Sequence, residues 1–313
     1  MNFRSFADLA RTVSTNLHKV PADVDLVVGV PRSGLVAASL IALELNLPLA
    51  HLDGFLRGEV FETGSTRGQR SWAGDARSCR HALIVDDSCA SGGTLTAVKA
   101  KIAAATIGAK VSTAVVFAAP GAIGVADIHF DVVPLPRCFG WNYLNHPNLK
   151  VACVDIDGVL CADPTPEEND DGPRYEEFLA NARVLRVPSH EIGWLVTSRL
   201  EKYRRQTEAW LQAHGVRYRE LVMLDGCSAE DRRRRGLHGR FKARVYARCD
   251  ARLFIESNPW QAAEIARLAG KPVICSATQD LTEPAVLSPQ RLEQFVRRAI
   301  RRIGRIPAKL LRR

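Results

Sequence analysis

The sequence predicts an α/β protein of two doubly wound parallel-sheet domains followed by a basic C-terminal helix. Three observations predict it. Short runs rich in Val, Ile and Leu alternate with longer amphipathic stretches, several of these runs end in Gly, Asp or Ser clusters, and 313 residues exceed the size at which a single core keeps growing.

Strands are expected at Leu26–Val30, Ala82–Val85, Lys110–Phe117, Val151–Ile156, Ile192–Val196, Glu220–Met223, Leu253–Ile255 and Pro272–Ile274, and helices at Leu35–Leu45, Thr94–Ala105, Tyr203–His214 and Pro259–Leu268. In open α/β sheets ligands gather beyond the carboxyl ends of the strands, so candidate residues are sought directly after each run. An aromatic, Pro-containing stretch at Phe139–Asn148 precedes a fresh apolar strand. It sets the expected domains at 1–148 and 149–286, with the tail at 287–313.

A composition of 46% hydrophobic and 25% charged residues excludes a disordered or fibrous chain. The N-terminus lacks a secretory apolar stretch, no uncharged apolar run reaches 18 residues, and the expected compartment is the cytoplasm. Eight scattered cysteines show no zinc-site spacing and read as buried free thiols. The net charge of +9 is uneven, since residues 287–313 hold nine Arg or Lys against Glu293 alone. Any electrostatic partner therefore belongs to the tail.

The first constellation follows the apolar run Ala82–Val85: Asp86, Asp87, Ser88, Cys89, Ala90, Ser91, Gly92, Gly93 and Thr94, then a helix. Adjacent carboxylates are costly unless a cation or a pair of hydroxyls lies between them. The small residues after them can aim backbone N–H groups at one point, which makes a phosphate cradle. Upstream, Leu26–Val30 ends in Pro31, Arg32, Ser33 and Gly34, a turn that adds a guanidinium suited to phosphate oxygens. Between the two, the polar, Gly-rich stretch Arg57–Gly74 reads either as a lid able to exclude water or as an inert hairpin.

This arrangement resembles the phosphoribosyl-diphosphate motif of type I phosphoribosyltransferases. The resemblance implies that Asp86 and Asp87 hold the ribose hydroxyls and that Ala90, Ser91, Gly92, Gly93 and Thr94 hold the 5-phosphate. It also implies that Arg32, Ser33 and Gly34 form the diphosphate loop and that Arg67 and Arg70 belong to the lid, with Mg2+ as cofactor and phosphoribosyl diphosphate and a base-like acceptor as substrates. Purine-salvage members carry Asp where this chain has Ala90, and orotate-type members carry a lid Lys where this chain has only Arg, so the acceptor stays open. Trp141, with Phe139, Asn142 and Tyr143, stands either where some members stack a base or in a domain-interface cluster.

The second constellation is Val151–Val154 leading into Asp155, Ile156, Asp157 and Gly158. Two carboxylates two residues apart point the same way, so one can attack phosphorus while the other moves the proton. The arrangement resembles the first motif of the haloacid dehalogenase (HAD) superfamily of phosphatases, with Asp155 as nucleophile and Asp157 as proton shuttle. By the same resemblance Thr197 and Ser198 bind phosphate, Lys242, placed shortly before a helix, neutralises charge, and Asp155, Asp157 and Glu256 hold Mg2+. Asn258 stands where a second acid is usual and is a possible carbonyl ligand. The short interval from Asp157 to Ser198 leaves no room for a large cap, which suits a bulky phosphorylated metabolite.

In the tail, Leu292, Phe295, Val296, Ala299, Ile300 and Ile303 recur at helical spacing and leave the arginines on the other face. Such a helix suits docking on its own protein, an anionic lipid surface or a phosphate-rich partner. The functional expectation is a bifunctional, homo-oligomeric enzyme of nucleotide-like metabolism. Two other readings stay open: a regulator sensing phosphoribosyl diphosphate or nucleotide with an RNA-binding tail, and a phosphatase whose first domain is its cap.

Overall fold

The computed structural model describes residues 1–61, 75–105, 107–225 and 236–284. Arg67, Arg70, most of the expected lid and the expected tail helix lie outside the described residues. The chain divides into two compact units between Trp141 and Asn142.

The first unit is built on a five-stranded parallel sheet of order β3-β2-β4-β5-β6, formed by β2 (Leu26–Gly29), β3 (Leu49–His51), β4 (His81–Cys89), β5 (Lys110–Ala118) and β6 (Ile128–Val132). A separate parallel pair joins β1 (Asn2–Arg4) to β7 (Arg137–Phe139). Val27, Leu83 and Val85 face one side, packed against Leu9 and Val13 of helix Phe6–Asn16 and Ala37, Ala38 and Ile41 of helix Gly34–Leu45. Leu26, Val28, Ala82 and Ile84 face the other, against Leu52, Phe55 and Val98. Residues that alternate this way are buried on both sides, which explains the unbroken apolar runs. At the start of β4, His81 is 1% exposed and bonded through both ring nitrogens, to Asp23 and Ser112 at 2.8 Å each.

β4 runs four residues past the expected end at Val85 because β5 continues beside it, pairing Asp86 with Val115, Ser88 with Phe117 and Cys89 with Ala118. The acidic pair thus lies within the strand rather than in the loop beyond it.

The second unit carries a six-stranded sheet of order β10-β9-β8-β11-β12-β13, from β8 (Ala152–Val154), β9 (Ile192–Leu200), β10 (Tyr218–Leu224), β11 (Leu253–Glu256), β12 (Val273–Cys275) and β13 (Asp280–Thr282). All pairings are parallel except β12 with β13, an antiparallel edge that the sequence reading did not foresee. Residues between Asn142 and Leu149 belong with this sheet, ahead of the expected boundary. Leu149 is buried, and Asn145 Oδ1 accepts a bond from Ser189 N at 3.0 Å.

Helices Leu237–Arg248 and Pro259–Ala269 pack together over Cys153, Trp194, Phe254 and Val273. The first of them contains Lys242, which was expected shortly before a helix. Gly239, Ala243 and Tyr246 bury its inner face, and Lys242 lies on that same face. No helix among the described residues is long and apolar enough to cross a membrane.

Candidate functional site

In the first unit two turns meet beyond β2 and β4. Gly34 opens its helix so close to β4 that a Cβ there would stand 2.8 Å from the Val85 carbonyl oxygen and 2.9 Å from Asp86 Oδ1. Only glycine permits this approach, which brings the Arg32–Ser33 turn against the acidic pair. Successive strand residues face opposite sides, and accordingly Asp87 is buried while Asp86 is half-buried.

Asp87 accepts from Ser33 Oγ at 2.8 Å through one oxygen and from Trp141 Nε1 at 2.8 Å through the other. The Asp86 carboxyl is pushed up to about 7, first by burial and then by the charge of Asp87. A carboxylate in that state gains from a nearby cation, so the pair fits a magnesium-bound ligand.

Gly92 is buried, with φ +88°, and it caps helix Gly93–Ala104, while Ala90, Ser91, Gly93 and Thr94 are exposed around it. Arg32, in the turn that meets the acidic pair, is exposed. Trp141 stacks on Phe139 at 4.8 Å between centroids and on Phe117 at 6.3 Å. Its indole edge is turned to the acidic pair. Of the two openings left by the sequence, a base-stacking residue or a domain-interface cluster, the geometry therefore adds a third feature, a bond to Asp87.

Residues 3–145 match the family model of the phosphoribosyl transferase domain. The match spans the whole of this site and ends before β8. Among solved structures, the purine phosphoribosyltransferase of Pyrococcus horikoshii is 18% identical with a TM-score of 0.32, the match covering 45% of this chain and 93% of that one. The xanthine-guanine-hypoxanthine phosphoribosyltransferase of Helicobacter pylori is 16% identical with a TM-score of 0.34, covering 45% and 92%. The UMP synthase of Leishmania donovani is 21% identical with a TM-score of 0.29, covering 40% of this chain and 26% of that one. No curated protein matches the chain.

Beyond the matched residues, the second unit gathers its own buried charges at the ends of β8, β9 and β11. Lys242 Nζ donates to Asp155 Oδ2 at 2.6 Å, Glu256 Oε2 at 2.7 Å and Gln261 Oε1 at 2.9 Å. All three charged residues are at most 4% exposed. Burial opposes the charge of Lys242, but Asp155 and then Glu256 outweigh it and keep the amine protonated. Burial likewise pushes the Asp155 carboxyl up, opposed by Lys242.

Asp157 is held separately. Arg199, 1% exposed, donates to both its oxygens, with Nη2 at 2.7 Å from Oδ1 and Nε at 3.1 Å from Oδ2. Burial alone would raise the Asp157 carboxyl; the charge and hydrogen bonds of Arg199 hold it below the usual range instead.

The carboxylates of the expected magnesium set, Asp155, Asp157 and Glu256, are engaged by cations of the chain itself. Asp157 is spent on Arg199, and Glu256 on Lys242 and on the backbone N–H groups of Ser257 and Asn258 at 2.9 and 3.0 Å. No group of three acids, His or Cys among the described residues could hold a metal ion. What fits a cation is Asp155 by itself, whose Oδ1 is buried without a hydrogen-bond partner among the described residues. Asn258 is a helix cap rather than a ligand: its Oδ1 accepts from Trp260 N at 2.9 Å and Gln261 N at 3.1 Å.

Thr197 and Ser198 sit inside β9, which is longer than expected, and Thr197 Oγ1 accepts from Arg199 N at 3.2 Å. A cavity of about 880 Å³ is lined by Asp155, Asp157, Ser198, Lys242 and Glu256, and also by Asp163. Sequence reasoning missed Arg199, Gln261 and Asp163. Only Arg199 carried a signal, its place directly after Thr197 and Ser198.

Proposed function

We propose that the chain transfers phosphoribose from phosphoribosyl diphosphate to a base-like acceptor, and that its second unit hydrolyses a phosphomonoester. The observation that carries the first part is the adjacent pair Asp86 and Asp87, tied to the Pro31–Gly34 turn through Ser33, within residues that match the phosphoribosyl transferase domain model. In this reading the two carboxylates orient the ribose hydroxyls, the N–H groups of residues 90–94 hold the 5-phosphate, and Arg32 faces the diphosphate. The C1–O bond to diphosphate breaks with its electron pair leaving on diphosphate, and a C1–N bond to the acceptor forms. Magnesium bound at the acidic pair would offset the charge of the leaving diphosphate.

For the second unit, the supporting observation is Asp155, facing a cavity beside a protonated Lys242. In a HAD-type reading, Asp155 attacks phosphorus, the ester oxygen leaves, and water then releases phosphate from the aspartyl intermediate. Lys242 holds Asp155 in place, and Ser198 lies where a phosphate oxygen would be received. A cation at Asp155 would supply further charge neutralisation.

The clamp of Arg199 on both oxygens of Asp157 favours a second reading, in which this unit binds phosphate without turnover. An acid so held is poorly placed to give up a proton.

Each site sits on its own sheet, so losses should separate. Asp87→Asn is expected to lower diphosphate release from phosphoribosyl diphosphate at least ~100-fold, about 3 kcal/mol of transition-state stabilisation, and to leave aryl phosphate hydrolysis within a few-fold. Asp155→Asn should do the reverse. Both are read by parallel diphosphate and phosphate release assays on folded protein. Equal loss of both activities in one variant overturns separate sites. No wild-type phosphate release, together with phosphate-dependent thermal stabilisation, selects the binding-only reading.

A further inference from the structure

The second unit contains a pair of thiols that neither proposed reaction uses. Cys153 lies in β8 and is fully buried, whereas Cys249 caps the end of helix Leu237–Arg248 and is the one partly exposed residue among the described cysteines. Separated by 96 positions, their sulfurs stand 3.6 Å apart. A disulfide requires about 2 Å, so a modest approach of the two sulfurs would close the bond. We propose that Cys153 and Cys249 are a reversible oxidation site for hydroperoxides, Cys249 being the sulfur attacked first and Cys153 the one that resolves it.

Accessibility and charge both select Cys249. The hydrogen bond from Cys153 pulls its thiol down to about 6 against the effect of burial, with the Lys271 charge assisting. Lys271 Nζ is anchored there by the carbonyls of Cys249 at 2.7 Å and Tyr246 at 2.9 Å. Burial instead pushes Cys79 up to about 11 and Cys138 up to about 12. Thiolate character and exposure decide which cysteine reacts, so Cys249 precedes the others.

The chemistry balances. The Cys249 thiolate attacks the hydroperoxide, the O–O bond breaks, and the leaving alkoxide takes up a proton as the sulfenic acid forms. The Cys153 thiol then attacks the Cys249 sulfur and water leaves, so that two thiols and one hydroperoxide give one disulfide, one alcohol and one water. An external dithiol reverses the step by exchange.

The site can be tested on the full chain with hydrogen peroxide near equimolar, followed by thiol blocking and peptide mapping. The expected result is a linked peptide joining Cys153 to Cys249, lost on treatment with dithiothreitol, with Cys79 and Cys138 still alkylated as free thiols. Cys153→Ser, or Cys153→Ala if serine disturbs the core, should leave a sulfenic acid at Cys249 that dimedone traps. Cys249→Ser should leave Cys153 unreacted. The proposal is overturned if the linked peptide forms only in denaturant, if Cys79 or Cys138 is consumed first, or if neither resolving variant yields a dimedone adduct at Cys249. The outcome does not depend on whether this unit hydrolyses phosphate esters.

Discussion

Lys242→Met is expected to remove about 3–5 kcal/mol of the second unit's stability and to abolish its proposed phosphate release. The ammonium stands between Asp155 and Glu256, and all three are buried. Methionine fills a similar volume but leaves two carboxylates in the interior with no cation. Removing one partner of a buried pair costs far more than the pair itself contributes, because the remaining charge keeps its desolvation penalty.

The sign of the pH dependence follows. Without Lys242 the two carboxyls in the folded state rise above their unfolded values, so the native state binds more protons than the unfolded one. Stability then falls as pH increases from the ordinary carboxylate range upward. Urea unfolding at pH 5 and pH 8 should show a wider gap to wild type at pH 8. An equal gap at both, or one below about 1 kcal/mol, would mean that the cluster does not behave as a buried ion pair.

Arg199→Met is the second large effect, again about 3–5 kcal/mol, because Asp157 would lose the charge that keeps it ionised in the interior. Here the wild-type carboxyl lies below its unfolded value. Its contribution is present above the ordinary carboxylate range and is lost as pH falls through the folded value. The difference between Arg199→Met and wild type should therefore narrow on acidification. Combining it with Asp157→Asn should recover much of the loss, since the stranded charge is then gone. Denaturant midpoints of the two single variants and the double variant measure this coupling directly. Additive losses would mean that the two residues act independently.

The readable part of these sites was whatever the strand pattern and local turn chemistry determine. Asp86, Asp87 and the small residues after them were legible because an apolar strand running into acids and glycines has few structural uses. Asp155 was legible for the same reason. The length of β4 was not, because it depends on β5 continuing alongside, a contact between segments that propensity does not encode.

Arg199 was missed since an arginine after a strand is ordinarily solvated, and only the folded geometry turns it onto Asp157. Asn258 was given as a possible carbonyl ligand from its spacing after Glu256. Its place just before Pro259 was the better signal, because Asn followed by Pro is the pattern of a capped helix start. The Cys153 and Cys249 contact spans two elements far apart in sequence and has no local signature at all.

The indole of Trp141 shares Asp87 with Ser33, and its ring is part of an aromatic stack with Phe139 and Phe117. Indole emission responds to the strength of the N–H hydrogen bond and to nearby charge. A sugar hydroxyl that takes over an oxygen of Asp87 would change both at once. The first unit thus carries a native optical probe wired to its acidic pair, and Trp141→Phe supplies the matching blank.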